Sequence, residues 1–187
     1  MDKYIFRKRK FLNKSYCKRV IDWFDNDLSV DDKIFDDRRG YVKRYINLRN
    51  DLMFNEVGHL LHLALLEYKS QHPFLKKIPW KIQTNCNFQK YLKGKSYGNE
   101  HSERGYDWGV GHCDWNRVLV WMFYLNTIHH KGGTCWPQQK FTSKPRAGDL
   151  YIWPADWTHS HYGVAAPVEE KYIITGWCVY QSDKVLT

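Results

Sequence analysis

The chain has 187 residues, enough for one domain around a single core, and 43% of them are apolar. Its five cysteines, Cys17, Cys86, Cys113, Cys135 and Cys178, are odd in number and form no C-x-x-C pair, which argues against a disulfide framework and for a reducing, cytoplasmic setting. The charged N-terminus lacks an apolar signal core and no apolar run reaches spanning length, so neither secretion nor membrane insertion is expected. The net charge of +9 fits nucleic acid, an anionic substrate or a solvated basic surface, and much of it lies in residues 3–10 and in Lys76-Lys77. Nine Trp and thirteen Tyr favour strands and aromatic-lined cavities.

Residues 1–12 alternate basic and apolar side chains and read as an edge strand or an arm. Ser15 is placed to cap a helix running to about Asp25, with Cys17, Val20, Ile21 and Phe24 at helical spacing. Residues 25–50 are charged, contain Gly40, and read as an irregular connection. Asp51 is the expected cap of a longer helix whose apolar stripe is Met53, Phe54, Val57, Leu60, Leu61, Ala64 and Leu65. His59 and His62 fall on it as surface or core-edge residues, and Pro73 and Pro79 end the helical region. From Trp80 the pattern turns to β: Lys81 to Tyr91, Arg117 to Asn126, Leu150 to Trp153 and Lys171 to Trp177, with turns at Gly132-Gly133 and between Pro145 and Gly148. Helices followed by short strands predict an α+β, mainly β fold. Residues 1–187 form one domain in this reading, mostly helical over 1–79, with a rolled sheet over 80–182 buttressed by the helices.

The chemistry-bearing residues fall in the β half. His101-Ser-Glu103 and His112-Cys-Asp114 each put a histidine and an acid on one side of an extended segment. His159 and His161 share a face by the same alternation, and so do Lys171, Ile173, Thr175 and Trp177. Two imidazoles and one carboxylate, with open positions opposite, suit non-heme Fe(II), and a strand-end ammonium suits an anionic ligand. Among nine histidines and twenty acids a single H-x-acid pair is expected by chance, and a lysine at a strand end is ordinarily a surface residue. The order in which the parts occur is more specific than any one of them.

That order runs Tyr91-x-x-Gly94-x-x-Tyr97, His101-x-Glu103, Asn116-Arg117, Tyr124-Leu125-Asn126, Gly132-Gly133, Pro145-x-x-Gly148, Trp153-Pro154, His161, Lys171-Tyr172 and Trp177. It resembles the 2-oxoglutarate and Fe(II)-dependent oxygenases, and within them the prolyl-4-hydroxylase-like branch with its phage-encoded members. The resemblance covers roughly residues 81–180 and implies a double-stranded β-helix, the jelly-roll or cupin-like fold. It implies Fe(II) and the co-substrate 2-oxoglutarate, and hydroxylation of a C–H bond with release of succinate and CO2. The substrate implied is a peptidyl proline or another amino-acid side chain, on a protein, a peptide or a small molecule.

The resemblance assigns the iron to His101, Glu103 and His161, because the Tyr91 to Tyr97 segment leads directly into the first pair and the interval from His161 to Lys171 resembles the family's. The alternatives stay open: the more familiar acid is Asp, favouring His112 and Asp114, and His159 fits its distance from Trp153-Pro154 better. Lys171 is assigned to the far carboxylate of 2-oxoglutarate, aided by the hydroxyls of Tyr91, Tyr124 and Thr175. Three features depart from the family pattern: Glu103 as the acid, no acid after Gly132-Gly133, and Val120 where relatives often carry Thr. The basic charge and aromatic content leave two other readings, an oxygenase acting on nucleic acid and a cupin-like module that binds metal without turnover.

Overall fold

The computed structural model describes residues 2–26, 33–36, 39–107 and 112–181. The elements in order are β1 (Phe6–Lys8), α1 (Lys14–Asn26), β2 (Lys33–Asp36), β3 (Tyr41–Asn47), α2 (Asn55–Gln71), β4 (Trp80–Ile82), β5 (Asn85–Tyr91), β6 (Tyr106–Asp107), β7 (His112–Cys113), β8 (Arg117–Tyr124), β9 (Thr134–Trp136), β10 (Phe141–Thr142), β11 (Leu150–Pro154), β12 (Tyr162–Gly163) and β13 (Lys171–Tyr180). Eight strands make one antiparallel sheet in the order β1-β11-β8-β13-β5-β3-β2, with β4 also paired to β13. A smaller sheet, β10-β9-β12, is separate from it, and β6 pairs with β7. This is the jelly-roll architecture expected from the sequence. No helix among the described residues is long and apolar enough to cross a membrane.

Strand alternation divides the large sheet into two buried faces. Leu119, Trp121 and Phe123 of β8, with Tyr172, Ile174 and Cys178 of β13, face α1 and α2, where Val20, Phe24, Val57, Leu61 and Leu65 cover them. Val120, Met122 and Tyr124, with Ile173, face inward on Tyr91, Trp136, Tyr151 and Trp153. Because β8 is covered on both sides, it reads as one continuous apolar run, unlike a strand with a wet face. The inner face is the one that carries Lys171.

The helical half departs from expectation in its details. Helix α1 starts one residue before Ser15, and Asn13 is its cap: Asn13 Oδ1 accepts the Ser15 N–H at 2.9 Å. Asp51 does not cap α2. A 3-10 turn, Leu52–Phe54, comes first, and the Asp51 carboxylate accepts the Asn47 N–H at 2.8 Å. Residues 25–50 are not simply an irregular connection, since β2 and β3 form a hairpin that extends the large sheet through β5. Lys43, Arg44 and Tyr45 on β3 hid that alternation, because a strand near a sheet edge can keep polar side chains. His59 and His62 are exposed on α2, as read.

The arm 1–12 does supply an edge strand, β1, paired with β11. It is pinned by Asp149, whose buried carboxylate accepts from Arg7 Nη2 at 2.5 Å and from the Lys10 N–H at 2.9 Å. Gly148 allows this closure. It sits at φ +83°, and a Cβ there would lie 2.1 Å from the Leu12 carbonyl oxygen. Gly148→Ala is therefore expected to lower stability by at least about 2 kcal/mol. An unchanged melting temperature would show that the arm is not held there.

Candidate active site

His101 and His161 are sixty residues apart, yet they face each other through an isolated antiparallel bridge. Each backbone N–H donates to the other's carbonyl, at 3.0 Å and 2.8 Å. Glu103 joins them because its own N–H and that of Arg104 donate to the Ala155 carbonyl at 3.1 Å and 2.9 Å. Backbone pairing thus sets the site. Glu103 Oε1 lies 3.5 Å from His101 Nε2 and 3.6 Å from His161 Nε2, and the three donor atoms all fall within 4.8 Å of one another.

The protonation pattern is fixed by the other ring nitrogens. His101 Nδ1 is 2.8 Å from the Asn99 carbonyl and His161 Nδ1 is 3.0 Å from the His159 carbonyl. A carbonyl only accepts, so each Nδ1 donates, and each ring in its neutral form turns a lone pair at Nε2 toward Glu103. Burial pushes the His161 imidazole below its usual range, which favours the neutral form. Burial alone would raise the Glu103 carboxyl; a positive charge facing Oε1, whether a proton donated by the Nε2 of His101 or His161 or a cation in its place, outweighs it and holds the acid well below its usual range. Two imidazole lone pairs and one carboxylate oxygen converging in a partly buried place suit a cation. Nitrogen and oxygen donors of this kind suit Fe(II).

Lys171 lies on the inner face of the same sheet. It is 4% exposed, its Nζ sits 4.6 Å from the centroid of the Tyr91 ring, and burial lowers its ammonium to about 8. Among the described residues no carboxylate offsets that burial, so the inward ammonium is suited to an anionic ligand.

Residues 86–179, just over half of the chain, match the sequence profile of the 2OG-Fe(II) oxygenase superfamily. The chain belongs to that superfamily. The oxygenase uses Fe(II) and 2-oxoglutarate, and the donor set described above fits both. Its fold is similar to a viral collagen prolyl hydroxylase from Paramecium Bursaria Chlorella virus-1 in a 2OG complex, at a TM-score of 0.74 and 16% identity over 96% of this chain and 97% of that one. It is similar also to a Pseudomonas putida prolyl-4-hydroxylase, at 0.73 and 17% identity over 96% and 94%. A third is a Trichoplax adhaerens prolyl hydroxylase in complex with a hypoxia inducible factor peptide fragment, at 0.68 and 18% over 95% and 84%. No curated protein matches the oxygenase by sequence.

Among the alternatives in the oxygenase's sequence, Asp114 stands apart from the converging donors and pairs with Arg117 Nη2 at 2.5 Å. The side chain of its partner His112 lies outside the described residues. His159 does not share a face with His161. The 3-10 turn Trp157–His159 breaks the alternation and turns His159 to the N-terminal arm, 3.5 Å from Asp2 Oδ1 and edge-on to the Tyr4 ring.

The tyrosines differ in what they offer. Tyr91 donates to Gln89 Oε1 at 2.8 Å, under the Lys171 ammonium. The Tyr124 hydroxyl lies 3.0 Å from Thr134 Oγ1 and 2.7 Å from Ser143 Oγ, a buried hydroxyl group of three that the sequence did not announce. Thr175 gives its hydroxyl hydrogen to the Trp121 carbonyl at 2.9 Å, so it is not a free donor for the co-substrate. Sequence reasoning also missed the wall around His161, formed by Trp153 edge-on at 5.0 Å and Trp136 at 6.2 Å between centroids.

Proposed function

We propose that this oxygenase hydroxylates an amino-acid side chain of a peptide, a prolyl residue being the first candidate. The carrying observation is the convergence of His101, Glu103 and His161 on the sheet face that also buries Lys171. In this reading the three side chains hold Fe(II), and Lys171 pairs with the far carboxylate of 2-oxoglutarate beside Tyr91, with Tyr124 lining the pocket. Bound there, the iron and 2-oxoglutarate supply the oxidising power, with O2 giving hydroxylated product, succinate and CO2. The protein's contribution is positioning. The bridge between His101 and His161 keeps the donor atoms in place, and Trp136 and Trp153 exclude water behind them.

The peptide reading has two supports. The Trichoplax adhaerens structure of similar fold holds a peptide fragment. The inner face also carries carboxamides: Asn85, Asn87 and Gln89 alternate with Tyr91 along β5, and the Asn87 Oδ1 is buried without a partner among the described residues. A carboxamide oxygen there is suited to a main-chain N–H. Turnover assays with iron and 2-oxoglutarate across peptide and oligonucleotide libraries, read as succinate and as a gain of one oxygen in mass, test the proposal. Product on a peptide, little changed by salt, is expected. Product on oligonucleotides alone, lost steeply as salt rises, would replace the substrate class. Succinate lost with iron removal would separate the reading from a metal-binding module without turnover.

A further inference from the structure

Glu103 is held on its second oxygen as well. Oε2 accepts from Arg117 Nη1 and from Trp177 Nε1, each at 2.9 Å. The Arg117 guanidinium lies over the Trp177 ring, 3.7 Å from its centroid, and Nη1 also donates to the Glu103 carbonyl at 3.1 Å. Asp114 anchors the other arm of the fork through Nη2. Oε1 is the oxygen set against the two histidines, 3.5 Å from His101 Nε2 and 3.6 Å from His161 Nε2.

A register shift builds this arrangement. Along β8, Val120, Met122 and Tyr124 point inward, so strict alternation would send Arg117 to the helix side. The pairing with β13 instead runs Trp177 to Val120, Cys178 to Leu119 and Val179 to Arg117, skipping Val118. That bulge turns Arg117 onto the face of Trp177 and Glu103.

Glutamate needs such support more than aspartate does. Its extra methylene adds a rotor, and an unrestrained carboxylate can swing or chelate through both oxygens, occupying a position that the keto acid or O2 requires. We propose that Arg117 and Trp177 clamp Glu103 as a one-oxygen metal ligand, with Asp114 fixing the clamp. Two donors fill Oε2 and leave Oε1 for the metal. Arg117 and Trp177 are positioning residues, acting through Glu103. The inference rests on the reading of His101, Glu103 and His161 as the metal ligands.

Two conservative variants test it. Trp177→Phe keeps a ring beneath Arg117 and removes the N–H, while Arg117→Lys keeps the charge and removes the fork. Co(II) titration of the metal-free protein, the Co(II) absorption spectrum and 2-oxoglutarate affinity of the Co(II) form are the readouts. Each variant is expected to weaken Co(II) binding about tenfold or more, to alter the spectrum as the carboxylate changes its mode, and to weaken 2-oxoglutarate. Variants matching the wild type in affinity and spectrum would overturn the clamp alone. Wild-type protein that takes up no Co(II) would overturn the metal site and the clamp with it. A loss that follows only a lowered melting temperature in both variants would assign the pair to folding.

Discussion

Lys171→Met is expected to give a more stable protein that barely binds 2-oxoglutarate. The buried ammonium titrates at about 8 against an ordinary 10.5, so keeping it charged in the fold at neutral pH costs roughly 3 kcal/mol. Methionine fills a similar volume without that penalty. Loss of the cation–π contact with Tyr91 offsets about 1 kcal/mol, which leaves a net gain of a few degrees in melting temperature. The sign with pH follows. Below about 8 both folded and unfolded chains hold the proton and the penalty is complete; between about 8 and 10.5 the unfolded chain binds more protons, so the wild type gains stability as pH rises. The variant should lack that rise.

Ligand binding runs the other way. The far carboxylate of 2-oxoglutarate needs the protonated amine, so affinity should fall roughly tenfold for each pH unit above about 8 in the wild type. In Lys171→Met the co-substrate constant should be at least about a hundredfold weaker and flat across that range, since a truncated partner leaves a carboxylate desolvated and unpaired. Thermal melts and 2-oxoglutarate titrations between pH 7 and 10 are the measurements. A variant less stable than the wild type, with an unchanged pH slope of binding, would show that the amine is paired elsewhere.

How far the site was legible depended on what each segment's local geometry did. The inner face of β13 came directly from alternation, because Lys171 to Trp177 is a regular strand. The same rule failed at His159, where a 3-10 turn replaces extended chain, and at Arg117, where a bulge reverses the face. Neither event leaves a local signature: Trp157-Thr158-His159 contains no Gly or Pro, and the bulge is a property of the pairing with β13 rather than of β8. The bridge between His101 and His161 is likewise a long-range contact, visible only as an order of motifs along the chain. In the helical half the stripe of α2 was readable, while the caps moved: Asn13 takes the cap of α1 by accepting the Ser15 N–H, and the Asn47 N–H competes for the Asp51 carboxylate.

Glu103→Ala should abolish turnover and Asp114→Ala should not, although Asp is the more familiar metal acid. Removing Glu103 leaves two neutral imidazoles and no anion to offset the charge of Fe(II). Activity should fall by a factor on the order of a thousand or more, about 4 kcal/mol of barrier. Asp114 touches the site only through Arg117, so its loss should loosen the fork and reduce activity by about tenfold at most. Glu103→Asp separates charge from reach. The shorter arm keeps the anion but cannot hold Oε1 near both Nε2 atoms while Oε2 stays 2.9 Å from Arg117 and Trp177. It should therefore fall between the two, with iron retained and turnover reduced about ten- to a hundredfold. Iron content and succinate yield measured side by side on the three variants decide the matter: iron kept in Glu103→Ala and lost in Asp114→Ala would move the metal to the His112 and Asp114 pair, whereas a Glu103→Asp enzyme as active as the wild type would mean that the site does not depend on the longer side chain.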